Sequence, residues 1–405
     1  MIKKVKTEQL QPGMYIHDFD CGWMEVPFMR RSLMVTDDAM VQKILANHIR
    51  EVYIDTARGK DVADALPLAE VKKVVEKEIM AVAKEAIRED APLSFMEEVT
   101  KAKEVRDEAK KVVTSIMGDV KLGKQVDFAV VDDAANNLVD SVFRNSSALV
   151  CLSQLKSRDE YTFQHSVNVC ILMISFCRAM KMEKEKVREV ATGALLHDLG
   201  KMKVPDEVLN KAGKLSDGEF DMMKSHVLLG KTSVKNFNDI SANAVSVMIQ
   251  HHERFDGSGY PFKLKGEEIT PIGQMASVVD VYDAITSDRC YHKGLTPSEA
   301  LRKMYEWAQY HFKKEMVEHF IKCVGIYPSG SLVRLESGFL ALVLEPSAKG
   351  THLPKVRLVY DPRKNAKIRP KDVDLSDPDH GHGKITGYEK ADAYGINLLQ
   401  YMGMA

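Results

Sequence analysis

The chain has 405 residues, 45% of them hydrophobic, and a formal net charge of -1. That length suggests two or three domains, and the composition is that of an ordinary soluble protein, not a disordered or fibrous one. A charge so near zero gives no global field for polymeric nucleic acid or anionic lipid, so any anion site has to be local.

The chain starts Met1-Ile2-Lys3-Lys4-Val5-Lys6, without the apolar core of a secretion signal. Residues 1–60 alternate short strand-like runs with turns. Gln11-Pro12-Gly13 punctuates them, 14–16 and 52–54 read as strands, and 37–45 reads as a short helix. His17 and His48 are isolated there and read as structural. Residues 69–117 are charged and helical. Val71, Val75, Ile79 and Val82 trace one apolar stripe. After a break at Ala91-Pro92, Phe95, Val99, Ala102, Val105, Ala109, Val112 and Ile116 trace another. A spacing near 3.5 predicts a coiled coil, either as a hairpin of these two helices or as the arm of a homodimer. Residues 121–124 read as a linker.

From Asp132 the pattern is continuous helix. A very apolar helix over 167–180 is opened by Tyr161-Thr162-Phe163-Gln164-His165. His165 taken alone reads as a satisfied core histidine. The next apolar helix ends at His197-Asp198, with Gly200 read as its C-terminal stop and Lys201 just beyond. A buried aspartate there needs a cation partner. Ser216-Asp217-Gly218-Glu219 is a capping box whose helix carries His226. A helix over 242–252 ends in His251-His252, followed by Glu253-Arg254-Phe255-Asp256-Gly257-Ser258-Gly259-Tyr260-Pro261. Pro271 opens a helix with Asp280 and Asp283 on one face of an apolar run. No apolar run approaches the ~18 residues of a membrane span.

After Ser331, 339–344 and 356–360 read as paired strands with a turn over 346–350. Residues 361–385 read as a polar loop, within which His380-Gly381-His382 is solvated and not a chelate. The six cysteines (21, 151, 170, 177, 290 and 323) make no Cys-x-x-Cys pair and read as reduced thiols of a cytoplasmic protein.

His165, His197, Asp198, His226, His251, His252 and Asp280 come from five predicted helices, each near a helix end or on an inward face. Five imidazoles and two carboxylates can ligate two metal ions. The absence of thiolate argues against a structural zinc site, and nitrogen and oxygen ligands suit iron, manganese or zinc. The His197-Asp198 pair followed by Gly259-Tyr260-Pro261 resembles the HD-GYP family of cyclic dinucleotide phosphodiesterases, over about 130–327. The first part resembles a small domain that precedes such catalytic domains.

The resemblance implies a mainly α architecture: an all-helical catalytic bundle over 125–330, a small α+β N-terminal part within 1–124, and a β-rich extension over 331–405. It implies that the seven residues converge on two divalent metals, iron or manganese, with Asp198 bridging. Such a pair would lower the pKa of a shared water and clamp the phosphoryl oxygens. The implied substrate is cyclic di-GMP opened to linear pGpG, with the mixed cyclic GMP-AMP as competitor and a non-hydrolysing sensor as the alternative class. Lys201 would add charge at the phosphate, and Asp283 would orient the water or the lysine. Arg289 and Lys293 would contact substrate, Tyr260 in the Gly259–Pro261 turn would pack on a base, and Glu253 would support the histidine pair. Some relatives carry a glutamate four residues before the first histidine, for a third metal. Tyr161 stands there, and Glu160 is about 100° round the helix, so two metals and a reaction that stops at the linear product are expected.

Overall fold

The computed structural model describes residues 1–21, 28, 31–85, 91–154, 161–211, 213–234, 240–288, 294–347 and 349–403. Helices dominate, with one small antiparallel sheet towards each end of the chain. The first sheet contains β1 (Ile2–Lys6), β2 (Tyr15–Phe19), β3 (Leu33–Met34) and β4 (Glu51–Asp55) in the order β1-β4-β2-β3. Between β3 and β4 lies α1 (Asp38–Ala46), capped by the Asp37 carboxylate, which accepts from the Met40 amide at 2.8 Å. Ile16, Phe19, Ile44, Val52 and Ile54 form the core between this sheet and α1.

Next come α2 (Leu68–Lys84) and α3 (Phe95–Lys121). They exist as the apolar stripes predicted, but the hairpin and dimer-arm readings are both corrected. α3 lies against α4 (Phe128–Arg144), α5 (Ser146–Gln154) and α6 (Tyr161–Ala179), and its stripe residues Val99, Ala102 and Ala109 are buried in their common core. Periodicity reports that a face is buried, not what covers it. A buried carboxylate fixes the contact. Glu98 accepts from Arg144 Nε and Nη2 at 2.7 and 2.8 Å and from Ser141 Oγ at 2.7 Å.

The bundle continues with α7 (Lys184–Leu196), α8 (Asp206–Leu209), α9 (Asp217–Lys224), α10 (His226–Thr232), α11 (Ala242–Gln250), α12 (Pro271–Thr286), α13 (Pro297–Trp307) and α14 (Lys314–Val324). α2 packs against α13 and α14, away from the partners of α3. α6 and α12 are the apolar centre. Val169 to Ile174 of α6 are buried without a break, so this helix is covered on every side. No helix of the described residues is long and apolar enough to cross a membrane.

The second sheet contains β5 (Leu332–Leu335), β6 (Leu340–Ser347), β7 (Gly350–Asp361), β8 (Ala366–Asp374) and β9 (Ile385–Tyr388) in the order β8-β7-β6-β5-β9. The polar-loop reading of 361–385 is therefore corrected, because β8 runs through it and β9 begins at its end. β8 is an edge strand with most side chains in solvent, so it needs no apolar run. Instead Arg357 of β7 forks onto Asp372 of β8 at 2.6 and 2.7 Å.

Candidate metal centre

Helix ends and one continuous helix deliver the predicted ligands to one place. His165 projects from the first turns of α6 and Asp280 from the middle of α12. His197 caps the C-terminus of α7, with Asp198 after it. His226 opens α10, and His251 caps α11 with His252 following. All are buried except His252, whose side chain is 21% exposed. The Gly200 expectation is corrected: α7 ends at Leu196, and Gly200 sits in the short 3-10 turn Leu199–Lys203. A Cβ at 200 would collide with the His226 carbonyl oxygen, so the glycine lets this turn approach α10.

The seven side chains form two clusters: His165, His197 and Asp280, and Asp198 with His226, His251 and His252. Within each, the candidate ligand atoms all lie within 4.8 Å of one another. Asp198 joins them. Its Oδ2 is 3.5 Å from His165 Nε2 and 3.4 Å from His197 Nε2, while its Oδ1 is 3.4 Å from His226 Nε2 and 3.9 Å from His251 Nε2. Asp280 reaches both sides as well, with Oδ1 3.0 Å from His165 Nε2 and Oδ2 3.5 Å from His252 Nδ1.

The far nitrogens are already engaged. His197 Nδ1 is 2.8 Å from the Ala194 carbonyl oxygen, His226 Nδ1 2.6 Å from that of Met223, and His251 Nδ1 3.1 Å from that of Val247. A carbonyl only accepts, so each Nδ1 carries the proton and each Nε2 keeps its lone pair for the cluster. The Nε2 atoms of His197, His226 and His251 and Oδ1 of Asp198 are buried with no hydrogen-bond partner among the described residues. Four such atoms converging at one point are costly unless a ligand satisfies them. Imidazole nitrogen and carboxylate oxygen without sulfur fit a borderline or hard divalent metal.

Electrostatics agree. Burial, then neighbouring positive charge, takes His226 down to about 4 and His251 down to about 3, and puts His252 well below the ordinary value. These imidazoles are neutral near pH 7, the ligating form. Burial also pulls on His165, but bonds and charge from Asp280 and Asp283 prevail and lift it to about 9. Carboxylates that draw a proton there favour any cation in the same place. Burial opposes the ionisation of Asp198 and Asp280, yet Lys201, His197 and His165 hold Asp198 well below the usual carboxylate range, and the bond from His165 with the charge of neighbouring histidines holds Asp280 below it.

Lys201 lies against Asp198, Nζ to Oδ2 at 2.5 Å, on a side chain 21% exposed. Asp283, expected to orient the water or the lysine, has its Oδ2 2.8 Å from His165 Nδ1, and its Oδ1 accepts from Asn168 Nδ2 at 3.3 Å. One expectation is corrected. Glu253 does not support the histidines but accepts from the Phe262 and Leu264 amides at 2.7 and 3.0 Å, pinning the loop after the histidine pair. Gly259 packs on the 253–254 backbone, where a Cβ would collide with the Arg254 amide. Tyr260 packs on His252, ring centroids 4.7 Å apart. Asn168 was not anticipated, although its place three residues after His165 puts it on the same helical face. Arg289, Cys290, His292, Lys293, Glu160 and the side chain of Tyr161 lie outside the described residues.

Two family models match the chain: a domain of unknown function (DUF3391) over residues 2–131 and an HD domain over 150–316. A cyclic di-GMP phosphodiesterase of Pseudomonas aeruginosa is 38% identical over 99% of this chain and 95% of its own length. A cyclic di-GMP phosphodiesterase of Thermotoga maritima is 35% identical over 45% of this chain and 50% of that protein. The 3'3'-cGAMP-specific phosphodiesterase 2 of Vibrio cholerae is 28% identical over 45% of this chain and 35% of that protein. With one relative matched over nearly its whole length and the HD-domain match spanning the helices that carry the histidines, the chain belongs to the HD-GYP family of HD-domain phosphodiesterases, here behind a DUF3391 domain.

Proposed function

We propose that this chain hydrolyses cyclic di-GMP to linear pGpG. The observation that carries the reading is the pair of ligand clusters joined through the two oxygens of Asp198. We assign His165, His197 and Asp280 to one divalent metal and His226, His251 and His252 to a second, with Asp198 shared and iron or manganese as the resident ions. Metals held there supply Lewis acidity, which acidifies water and offsets phosphate charge.

The remaining roles fall to the chain. Asp283 fixes the His165 proton on Nδ1 and so aims Nε2 into the cluster. Lys201, partly exposed beside Asp198, offers a cation to an incoming phosphoryl oxygen. The turn Gly259-Tyr260-Pro261, pinned by Glu253, gives a wall against which a nucleobase packs. Arg289 and Lys293 complete the substrate contacts in this reading. The catalytic unit is 125–330, with 1–124 in front and 331–405 behind.

The test is a time course on purified protein loaded with Fe(II) or Mn(II), given cyclic di-GMP and 3'3'-cGAMP in parallel, with products separated by chromatography. Accumulation of pGpG, with GMP formed slowly or not at all, is expected, because Tyr161 offers no carboxylate for a third metal. Preference for the mixed dinucleotide would move the substrate assignment towards that of the Vibrio cholerae relative. Tight binding of either without turnover would make the chain a sensor and overturn the proposal.

A further inference from the structure

The loop that carries Tyr260 runs from the end of α11 at Gln250 to the start of α12 at Pro271, with a short 3-10 turn at Gly266–Glu268 as its regular structure. Its inner limb lies on the metal centre. The Tyr260 ring is 4.7 Å from that of His252 and 6.5 Å from that of His226, and the Tyr260 amide donates to the His252 carbonyl at 3.1 Å. His252 is the most exposed of the seven ligands, so this limb flanks the open face of the centre. The outer limb is tied to the turn after α13. The Phe255 amide donates to the His311 carbonyl and the Asp256 amide to the Tyr310 carbonyl, both at 3.0 Å. Asp256 continues inwards, its Oδ1 accepting from the Ser258 amide at 2.9 Å, two residues before Tyr260. The Tyr310 and His311 amides in turn donate to the Trp307 carbonyl at 3.0 and 2.9 Å.

Trp307 joins this turn to the N-terminal domain. Its Nε1 donates to Asp20 Oδ1 at 3.0 Å, and the residue before it, Glu306, accepts from the Tyr53 hydroxyl at 2.7 Å. Asp20 is held by Lys4 Nζ at 2.8 Å, and Lys4 also binds Glu51 at 2.8 Å. Lys4 lies on β1 and Glu51 and Tyr53 on β4, which pair antiparallel, and Asp20 directly follows β2. The anchor is therefore a sheet. Glu306 and Trp307 are buried, so water competes little for these bonds. Asp20 and Tyr53 fall in the matched N-terminal domain, and Glu306 and Trp307 in the matched HD domain.

We propose that Asp20 and Tyr53 of the N-terminal domain are positioning residues for the reaction: through Trp307 and Glu306 they hold the Tyr260 loop where it receives a nucleobase of the cyclic dinucleotide. This role rests on the proposed function, in which Tyr260 packs on a base. A loop with little regular structure keeps its place through the bonds that tie it down. A wall fixed before the substrate arrives costs no ordering on binding, whereas a loose one subtracts that ordering from affinity. The loop receives the base and the metal centre does the chemistry, so the loss on loosening it is read in KM and not in kcat. The N-terminal domain thus acts on substrate binding without touching the substrate.

The test is steady-state kinetics on cyclic di-GMP with the full chain loaded with Mn(II). Tyr53→Phe and Trp307→Phe each remove one bond between the domains. Each is expected to raise KM about fivefold, with kcat changed by less than about twofold and bound manganese unchanged. Glu306→Ala should raise KM as Tyr53→Phe does, and Glu306→Gln, whose amide oxygen still accepts from Tyr53, should recover most of the loss. In a Tyr260→Ala background Tyr53→Phe should change KM by less than about twofold, because the residue it acts through is gone. Tyr53→Phe keeps its buried ring, so it gives the measurement if Trp307→Phe fails to fold. A wild-type protein that turns over neither cyclic di-GMP nor 3'3'-cGAMP overturns the functional reading and the positioning role with it. A wild type active on cyclic di-GMP overturns the positioning role alone in any of three cases: KM is unmoved in the variants, its rise repeats in full in the Tyr260→Ala background, or kcat and bound manganese fall with it.

Discussion

Two of the polar clusters buried among the described residues differ in one respect. Where the N-terminal sheet meets α13, Lys4 Nζ lies 2.8 Å from both Asp20 Oδ2 and Glu51 Oε2. Trp307 Nε1 donates to Asp20 Oδ1 at 3.0 Å, and the Tyr53 hydroxyl donates to Glu306 Oε2 at 2.7 Å. Lys4, Asp20, Tyr53, Glu306 and Trp307 all find their partners within the chain. At the metal centre the imidazole Nε2 atoms of His197, His226 and His251 and one oxygen of Asp198 find none among the described residues. Burial of charge is common to both, so burial does not mark a site. Unmet hydrogen-bonding capacity does, because a fold that leaves four such atoms together gives up free energy unless something binds them.

Breaking each cluster should therefore give opposite signatures. Changing His197 and Asp198 together to Ala is expected to lower hydrolysis at least about a thousandfold and to strip bound metal. The protein should still unfold cooperatively, because the apolar faces of α6, α7, α11 and α12 are untouched. Activity, elemental analysis and thermal denaturation by circular dichroism read the three effects separately, and a double variant with full activity would refute the assignment. Asp20→Ala tests the other cluster. It leaves the buried Lys4 ammonium and the Trp307 indole short of an acceptor, and removing one partner of a buried pair costs about 3–5 kcal/mol. Denaturant unfolding should show that loss with metal content unchanged. A loss within about 1 kcal/mol would mean that the pair behaves as an exposed one.

The same distinction separates what the sequence revealed from what it did not. His197-Asp198 and His251-His252 stand out because apolar helices have no use for such pairs at their ends, and the chemistry of the ligand set can be read from residue types alone. The partners behind them cannot. That Asp283 serves His165, and Glu253 the loop amides, depends on which way a side chain turns from its helix, and spacing does not encode that. The Asp20–Trp307 and Tyr53–Glu306 bonds join residues 287 and 253 positions apart, and each residue taken alone looks unexceptional. β8 escaped notice because an edge strand facing water carries the composition of a loop. α2 and α3 were recognised as helices, but their stripes gave no partner, and the bundle covers them separately.

The smallest effect expected bears on how complete the satisfied cluster is. Glu306 is its weakest member. Burial raises its pKa above the ordinary 4.5, the negative charge of Asp20 adds to this, and the Tyr53 hydroxyl, Lys4 and Arg302 only partly offset them. A carboxyl raised on folding binds more protons in the folded chain than in the unfolded chain at pH between the two values. Wild-type stability therefore gains from Glu306 as pH falls through its folded pKa, and loses that gain as pH rises. Glu306→Gln cannot titrate, yet its amide oxygen still accepts from Tyr53. The variant should match or exceed wild type in stability at neutral pH, and its advantage should shrink steadily as pH is lowered towards 4.5. Denaturant unfolding of both proteins across that range measures the difference. A gap that stays constant with pH would mean that Glu306 titrates as it does in an unfolded chain, and that the contacts around it cancel its burial. A gap that closes in acid would mean that this cluster, though fully partnered, still holds one charge at a cost, whereas the metal centre holds its charges for a ligand.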